Sequence, residues 1–131
     1  MNRHLCNMVS SIKNGQLSKK SYINLKQTNK QMCESVLNVL WDEGFILGYK
    51  HTNFLSKKNI KVFLKYKKGA PVINSIKVVS KPSLKVFFSL SNLWKFDSNQ
   101  GVLILSTNKG VMSSTECKKL KLGGQALVIV N

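Results

Sequence analysis

The segment 106–113 holds the densest group of side chains in this chain that could contact a polar ligand. Hydroxyl, amide and ammonium groups can bond to ribose hydroxyls, base edges and phosphates, and a glycine lets the backbone approach a ligand closely. The segment joins an apolar run to a helix-capping sequence, so we expect a loop between a buried strand and a helix. An ordinary Ser- and Asn-rich connection would have the same composition, which leaves both interpretations open. The residues concerned are Ser106, Thr107, Asn108, Lys109 and Gly110.

The charge of the chain indicates which ligand these residues would meet. Over 131 residues, 21 Lys and Arg against 5 Asp and Glu give a formal net charge of +16. Because self-repulsion of this size destabilises a compact chain, we expect a polyanionic partner: nucleic acid first, then a membrane surface or an acidic protein. Arg3 is the only arginine. Lysine supplies point charges rather than bidentate forks, which suits contacts to phosphates.

The sequence lacks the patterns that enzymatic and metal chemistry need. The few acidic residues are scattered, which argues against a two-carboxylate or magnesium site, and there is no Gly-rich phosphate motif. Cys6, Cys33 and Cys117 form no C-x-x-C pair, which argues against zinc and disulfides. His4 and His51 are isolated. We therefore predict no enzymatic activity, cofactor, metal or small-molecule substrate.

A membrane partner is also not expected. The longest apolar runs, at 102–105 and 126–130, are far shorter than the ~20 residues that span a bilayer. The predicted helices do not separate a basic from an apolar face strongly enough for membrane-surface binding. The N-terminus has no secretory apolar region, so we expect synthesis where the protein works or a presequence already removed.

Helical periodicity predicts two helices in the N-terminal half, separated by a short strand at Tyr22–Leu25. Asn14-Gly15 is expected to end the first helix, because glycine favours the left-handed conformation that follows many helices. Asn29 is expected to cap the second helix and Gly44 to end it. The predicted buried stripes are Leu5, Met8, Val9 and Ile12 in the first helix and Met32, Val36, Val39 and Leu40 in the second.

Two further strands are predicted before the middle of the chain. The first is Phe45–Tyr49, and the polar, Lys-rich segment His51–Asn59 is expected to be a hairpin loop. Ile60, Val62, Leu64 and Tyr66 alternate with Lys61, Phe63 and Lys65, which predicts a half-buried strand. The run Lys67–Pro71 breaks this pattern and is our predicted domain boundary.

The remaining chain is predicted to be mostly β with one short helix. Ser113 and Glu116 match a capping box, so a helix should run from there to about Lys121 and end at Gly123-Gly124. The fold class is therefore α+β in two small parts, with domains at 1–67 and 68–131. The other expected elements are strands at Val72–Val79, Leu84–Phe88, Gly101–Leu105 and Gln125–Val130, a turn at Lys81–Ser83 and a polar loop at Ser89–Gln100.

Aromatic residues divide into predicted core and predicted surface groups. Tyr66, Phe88 and Trp41 fall at positions expected to be buried. Phe87 lies on the opposite face of its strand from Phe88 and is the better candidate for stacking on a base. Trp94 lies in the predicted polar loop, where it could cover the core or contact another protein.

Several short motifs together resemble the small-subunit ribosomal protein eight family over nearly the whole chain. The family's C-terminal signature is G-[IV]-x-[IV]-[VL]-S-T-S-K-G-V-M-[ST], followed by a short helix, G-G-E and an apolar strand. It is similar to GVLILSTNKGVMS at 101–113 and LGGQALVIV at 122–130. Shorter matches are IKNG at 12–15, DEGFI at 42–46, LKY at 64–66 and IKVVSKP at 76–82. Each short match is weak alone, and their common order and spacing carry the resemblance.

The resemblance implies two small α+β parts and a structural role. That role is binding to the central region of small-subunit ribosomal RNA early in assembly, beside neighbouring small-subunit proteins. In the family, the S-T-x-K-G segment and the G-G-E turn face an irregular RNA stem. Carried over by position, the RNA-binding residues are Ser106, Thr107, Asn108, Lys109, Gly110, Gly124 and Gln125. We also expect phosphate contacts from Lys13, Lys30, Lys81 and Lys85, although a lysine that only faces water would look the same.

Four positions depart from the family pattern. Asn108 replaces a serine and keeps a hydrogen-bonding group, whereas Gln125 replaces a glutamate and removes a carboxylate acceptor. Ser83 replaces a glycine, and Ser11 replaces an arginine. With the Lys- and Asn-rich composition, these departures suggest an organelle version, mitochondrial rather than plastid or bacterial. A basic RNA-binding module outside the ribosome is the alternative hypothesis.

Overall fold

The structure is a computed structural model that describes residues 2–26, 31–54, 57–80, 83–96 and 101–131. Helices and antiparallel sheets are both present, so the predicted α+β fold is confirmed. Contacts divide the chain into two compact units, which we call the N-terminal unit (Arg3–Ile73) and the C-terminal unit (Asn74–Asn131). The predicted cap Asn29 and the turn residues Lys81 and Pro82 lie outside the described residues.

The N-terminal unit contains two helices and an antiparallel sheet with the strand order β1-β3-β2. The predicted apolar stripes of the two helices contribute to its core. Leu37 is buried with them, whereas Met32 is only half-buried. Ile60, Val62 and Leu64 are buried, which confirms the predicted alternation. The elements are α1 (Asn2–Leu17), β1 (Tyr22–Lys26), α2 (Gln31–Asp42), β2 (Ile46–Phe54), β3 (Lys57–Leu64), β4 (Tyr66–Lys67) and β5 (Ala70–Pro71).

The first helix does not end at Asn14-Gly15 as predicted, because α1 continues to Leu17. A Cβ added to Gly15 would lie 2.5 Å from Ile23 Cγ2 and 3.1 Å from Leu64 Cδ1. The glycine therefore serves close packing of α1 on the sheet rather than termination of the helix. In contrast, Gly44 ends α2 as predicted: its φ is +81°, and its N–H and that of Phe45 donate to carbonyls of the last turn.

The predicted hairpin loop at His51–Asn59 is wrong, because β2 and β3 continue through most of it. His51 pairs with Ile60, and Thr52 pairs with Asn59. The segment 51–59 is mostly polar and shows no period-two alternation of apolar residues in the sequence, although the backbone ladder continues. The tip residues 55 and 56 lie outside the described residues.

Trp41 was expected to be buried, but it is 49% exposed. It lies in the last turn of α2, and its ring covers β2 at Gly48, where an added Cβ would lie 3.1 Å from Trp41 Cζ2. The ring also meets that of Tyr49 edge-on, with 5.9 Å between the centroids. Trp41 therefore covers the surface of the unit and leaves one side of its ring open to solvent.

The C-terminal unit is built around one antiparallel sheet with the strand order β6-β10-β8-β9, and β7 pairs with the start of β10. Leu93, Leu103, Leu105, Cys117 and Ala126 form a buried cluster between this sheet and the short helices. The elements are β6 (Ile76–Val78), β7 (Phe87–Phe88), α3 (Leu90–Lys95), β8 (Val102–Thr107), β9 (Gly110–Ser113), α4 (Ser114–Leu120) and β10 (Gly124–Val130).

The two ends of the C-terminal unit are joined by backbone hydrogen bonds. The N–H groups of Asn74 and Ser75 donate to the carbonyl of Asn131, at 2.6 and 3.1 Å. The N–H of Asn131 donates in return to the carbonyl of Ser75, at 2.9 Å. Asn74, where the chain passes from the N-terminal unit, therefore lies beside Asn131.

Several predicted boundaries in this unit need correction. The strands expected at Val72–Val79 and Leu84–Phe88 shrink to β6 and β7, because few of their residues find a partner strand. The predicted polar loop at Ser89–Gln100 contains α3, whose N-cap is Ser89. Trp94 therefore lies on a helix rather than in a loop and is 64% exposed.

The second short helix begins as predicted but ends differently. Ser113 caps α4, and its hydroxyl accepts a hydrogen bond from the Glu116 N–H at 3.4 Å. The left-handed residue after the helix is Lys121, with φ of 56°, and not one of the two glycines that follow. Gly123 instead lies where an added Cβ would be 2.6 Å from the Phe88 carbonyl oxygen. This glycine thus permits a close backbone approach.

Candidate nucleic-acid interface

The segment singled out from the sequence is a tight β-hairpin, and the prediction of a loop is wrong. β8 runs through Thr107, β9 starts at Gly110, and Asn108-Lys109 form the turn between them. Thr107 pairs with Gly110, and Ser106 pairs with Val111. Gly110 has φ of +116°, a backbone conformation that residues other than glycine rarely adopt. The paired strands therefore hold the polar residues of the hairpin in fixed positions.

The turn is braced by one side chain. The Thr107 hydroxyl donates to the Gly110 carbonyl at 2.8 Å and accepts from the Lys109 N–H at 3.2 Å. Asn108 and Lys109 are exposed, and an added Cβ on Gly110 would meet nothing within 4 Å. The role of Thr107 is thus to shape the turn, whereas the amide of Asn108 and the ammonium of Lys109 stay available to a ligand.

Four strands bring side chains from distant parts of the sequence into one row. Gln125 of β10 pairs with Ser106 on one side and with Phe87 on the other, and Ser106 pairs with Val111. Directly paired residues of antiparallel strands point to the same face of a sheet. The row therefore contains Phe87, Gln125, Ser106 and Val111, and Phe87 is 65% exposed at its end.

Gln125 carries a hydrogen-bond donor without a partner. Its side-chain nitrogen Nε2 is buried and makes no hydrogen bond to any described residue. Leaving a buried donor unpaired costs about 1–3 kcal/mol, so such a group marks a place where an outside acceptor would be favourable. A glutamate at this position would offer only acceptors when ionised, whereas this glutamine offers a donor.

Gly124 holds the row together through its lack of a side chain. A Cβ at this position would collide with the backbone oxygen of Ser106 and lie 3.1 Å from Thr107 Cγ2. The start of β10 can therefore lie against β8 only with glycine here. Gly124 positions Gln125 and the hairpin and offers no side chain of its own to a ligand.

Ser80 supports the same region, and sequence reasoning gave it no role. Its hydroxyl donates to the Ala126 carbonyl and accepts from the Val86 N–H at 3.0 Å. It thus ties the segment before β7 to β10 beside Gln125. The signal that could have found it is the serine of the IKVVSKP match, which precedes a proline by two residues.

The predicted lysines lie at scattered places. Lys13 is exposed on α1 in the N-terminal unit, and Lys85 is exposed just before β7 in the C-terminal unit. Lys30 and Lys81 lie outside the described residues. The structure thus brings together the hairpin residues with Gly124 and Gln125 at one end of the C-terminal sheet, and Lys13 belongs to a different unit.

Other chemistry receives little support from the described residues. Among them, no three His, Cys, Asp or Glu side chains converge as metal ligands. Burial raises the pKa of the Cys117 thiol, which disfavours the nucleophilic thiolate. Within the same residues, no helix combines the length and apolar character needed to cross a bilayer.

These features define a class of protein: a basic α+β chain that presents a rigid, polar hairpin to a polyanion, with a row of uncharged side chains beside it. The sequence model of the family described as ribosomal protein S8 matches residues 4–131. The chain therefore belongs to the ribosomal protein S8 family. That family consists of structural ribosomal proteins, so the prediction that the chain is not an enzyme is confirmed.

Curated relatives agree over nearly the full length. Small ribosomal subunit protein uS8 of Coxiella burnetii is 35% identical over 127 residues, which cover 97% of this chain and 96% of that protein. The uS8 of Ectopseudomonas mendocina is 37% identical over 126 residues, with 96% and 95% covered. The uS8 of Borrelia garinii subsp. bavariensis is 39% identical over 127 residues, with 94% and 92% covered.

Proposed function

We propose that this protein is a structural constituent of the small ribosomal subunit, in contact with ribosomal RNA and with neighbouring ribosomal proteins. Membership in the ribosomal protein S8 family supports the role. The observation that carries the RNA contact is the braced hairpin tip beside the unpartnered Nε2 of Gln125. The net charge of +16 supplies the attraction to a polyanion.

The proposed mechanism is recognition of RNA shape and backbone. Lys109 neutralises a phosphate at the tip, and Asn108 bonds to a ribose hydroxyl or a base edge beside it. Ser106 contacts the same RNA from the row behind the tip, and Gln125 Nε2, which is buried, reaches an acceptor there once its side chain turns outward. Thr107, Gly110 and Gly124 act by fixing the backbone, so the binding surface is preformed and little conformational entropy is lost on binding.

The finer assignments are proposals of the same kind. The RNA target is an irregular stem in the central region of small-subunit ribosomal RNA, bound early in assembly. Lys13, Lys30, Lys81 and Lys85 contact phosphates around it. The domains proposed from the sequence are 1–67 and 68–131, whereas contacts in the structure divide the chain after Ile73. In either division the C-terminal part carries the main RNA-binding residues.

A mitochondrial ribosome is the proposed location. The Lys- and Asn-rich, Arg-poor composition, with Arg3 as the only arginine, supports an A+T-rich organelle genome. The relatives described above come from bacteria, so a bacterial cytoplasm is the competing location. Fractionation of the source cells, with the protein followed by a specific antibody, decides between an organelle and the cytoplasm.

The central test is sedimentation of the native protein in a gradient of lysate, before and after RNase treatment. We expect co-migration with the small ribosomal subunit that is lost after RNase. Sedimentation as a free small protein in untreated lysate would contradict the ribosomal role and favour a basic RNA-binding module outside the ribosome.

A further inference from the structure

The outer face of the N-terminal sheet has a composition unlike that of an ordinary solvent-exposed sheet. Ile23, Val62 and Leu64 turn inward to the core, so their neighbours along the strands turn outward. Tyr22 pairs with Phe63 across β1 and β3, and this pair belongs to the outward set. We call Tyr22, Asn24, Lys50, Lys61 and Phe63 the outer face.

Register places the polar members of the outer face beside the two aromatic rings. Lys61 of β3 pairs with Asn24 on one side and with Lys50 on the other. All three strands therefore contribute, and the face runs continuously across the sheet. Tyr22, Asn24 and Lys50 are exposed, and Lys61 and Phe63 are half-buried.

The lysines of the outer face are held over the rings. Lys61 Nζ lies 3.9 Å from the Tyr22 centroid and 5.5 Å from that of Phe63, and Lys50 Nζ lies 5.8 Å from the Phe63 centroid. Cation–π attraction at these distances fixes long side chains that would otherwise be mobile. Two ammonium groups are thus positioned at the centre of the sheet before any ligand binds.

Within the described part of the chain, neither lysine of this face forms an ion pair. Lys50 and Lys61 are direct cross-strand neighbours, and like charges in that arrangement destabilise a sheet. None of the residues of β1, β2 and β3 is acidic. A bound anion would relieve this repulsion, so charge complementarity favours a polyanionic ligand.

We infer that the outer face binds an unpaired RNA strand. A base stacks on Tyr22, which is 43% exposed although Lys61 lies over its ring, and Lys50 and Lys61 contact the flanking phosphates. Alternating planar bases and phosphates match this alternation of rings and ammonium groups. An acidic peptide would satisfy the lysines but would bring no planar groups for Tyr22 and Phe63.

The outer face is separate from the hairpin site. It lies in the N-terminal unit, contains none of the residues of the proposed stem-binding surface, and requires a different RNA structure. The inference therefore does not rest on the proposed function. An experiment can distinguish the two sites, because the hairpin site requires a structured stem and the outer face requires an unpaired strand.

The experiment measures binding of the full chain to a fluorescent eight-nucleotide oligouridylate by anisotropy, at about 0.1 M salt. The first pair of variants is Tyr22→Ala and Tyr22→Phe. We expect Tyr22→Ala to weaken binding at least about fivefold, as stacking on one base predicts, and Tyr22→Phe to bind as the wild type does. Equal affinities for these two variants, with unchanged thermal unfolding, would overturn the inference.

A second pair of variants keeps the test valid if Tyr22→Ala does not fold. Lys50→Ala and Lys67→Ala each remove one exposed lysine, but only Lys50 belongs to the outer face. We expect Lys50→Ala to reduce the slope of log affinity against log salt by about 0.7, and Lys67→Ala to change it less. Equal slopes would overturn the inference.

Two further measurements separate this site from its competitors. Lys119→Ala removes an exposed lysine that belongs to neither site, and it should bind the octamer as the wild type does. If Lys109→Ala loses octamer binding while Tyr22→Ala keeps it, the octamer sits on the hairpin and the inference fails. Displacement of the octamer from the wild type by a polyglutamate peptide at equal charge concentration would also overturn it and assign the face to an acidic protein.

Discussion

The two units expose polar groups from their sheets in different ways. In the N-terminal unit, one face of the sheet is buried and the other carries lysines and rings along its whole width. In the C-terminal unit, Ala126, Leu127 and Val128 are buried in succession, so both faces of β10 are covered in the middle of the sheet. The polar residues of β8, β9 and β10 that reach a ligand therefore lie at the end of the sheet, on the hairpin and at Gln125, whereas Lys77 is exposed on the edge strand β6. The comparison shows that burial on two faces confines a ligand site to the strand ends.

The units also differ in how they hold a positive charge. On the outer face, Lys61 is positioned by aromatic rings, whereas the backbone under Lys109 is fixed by hydrogen bonds to Thr107. The first arrangement orders the ammonium group itself. The second arrangement orders the backbone and leaves the Lys109 ammonium group mobile. An unpaired strand and a structured stem are the ligands that we propose for these two arrangements.

The largest effect is expected from a methyl group added at the end of the C-terminal sheet. Gly124→Ala should lower the free energy of unfolding by about 3 kcal/mol, because the new Cβ meets the rigid backbone of Ser106. Urea unfolding, followed by circular dichroism, measures this change.

Gly15→Ala is the matched control in the N-terminal unit. Its Cβ would meet the side chain of Ile23, which can rotate, and alanine raises the helix propensity by about 1 kcal/mol. We expect a loss clearly smaller than that of Gly124→Ala. A larger loss for Gly15→Ala would show that packing of α1 on its sheet is as rigid as the contact between β10 and β8.

A smaller effect is expected on RNA affinity from the tip of the hairpin. Lys109→Ala should weaken binding to the small-subunit RNA stem by about 1–3 kcal/mol without changing the unfolding curve, because Lys109 is exposed. Filter binding measures the affinity, and Lys119→Ala on α4 is the control with the same loss of charge. Equal binding by Lys109→Ala and the wild type would exclude the tip from the interface.

The cap of α4 should have a still smaller effect. Ser113→Ala removes the hydroxyl that accepts from the Glu116 N–H and should lower the free energy of unfolding by about 1 kcal/mol. Differential scanning calorimetry would show the corresponding decrease in the unfolding temperature. The matched variant is Ser89→Ala, which removes the equivalent contact to the Asn92 N–H at the start of α3. No shift for Ser113→Ala would mean that packing alone fixes the helix after the hairpin.

The smallest effect is expected at the surface of the N-terminal unit. His51 Nε2 and Glu34 Oε1 are 2.8 Å apart, but both side chains are partly exposed. His51→Ala should change the free energy of unfolding by less than about 0.5 kcal/mol, because solvent screens such pairs. Urea unfolding at low and high salt measures this change in the free energy of unfolding. A loss above that of Ser113→Ala would show that the α2–β2 surface contributes more than its exposure suggests.

Local signals in the sequence predicted much of the fold. The apolar stripes of both helices, the end of α2 at Gly44 and the cap of α4 at Ser113 all depend on residues within a few positions of each other. The predicted end of α1 at Gly15 was wrong because a glycine that allows close packing and a glycine that ends a helix look alike in sequence. The prediction of a loop at His51–Asn59 was wrong because this polar, Lys-rich sequence has no apolar alternation that would indicate a strand.

The candidate site was predictable as a set of residues but not as a geometry. The family resemblance pointed to Ser106–Gly110, Gly124 and Gln125, and the structure places them at one end of a sheet. That Gln125 lies between Ser106 and Phe87 depends on long-range strand register, which a single sequence does not encode locally. The support from Ser80 is of the same kind, since its partner Ala126 is 46 residues away.

The hydrogen bonds between Asn74 and Asn131 have a consequence for engineering. Because Asn74 and Asn131 are joined by a backbone hydrogen bond, a short linker could connect residue 131 to residue 74 without crossing the unit. New termini could then be opened elsewhere on its surface, or the unit could be inserted as a cassette into a surface loop of an unrelated carrier protein.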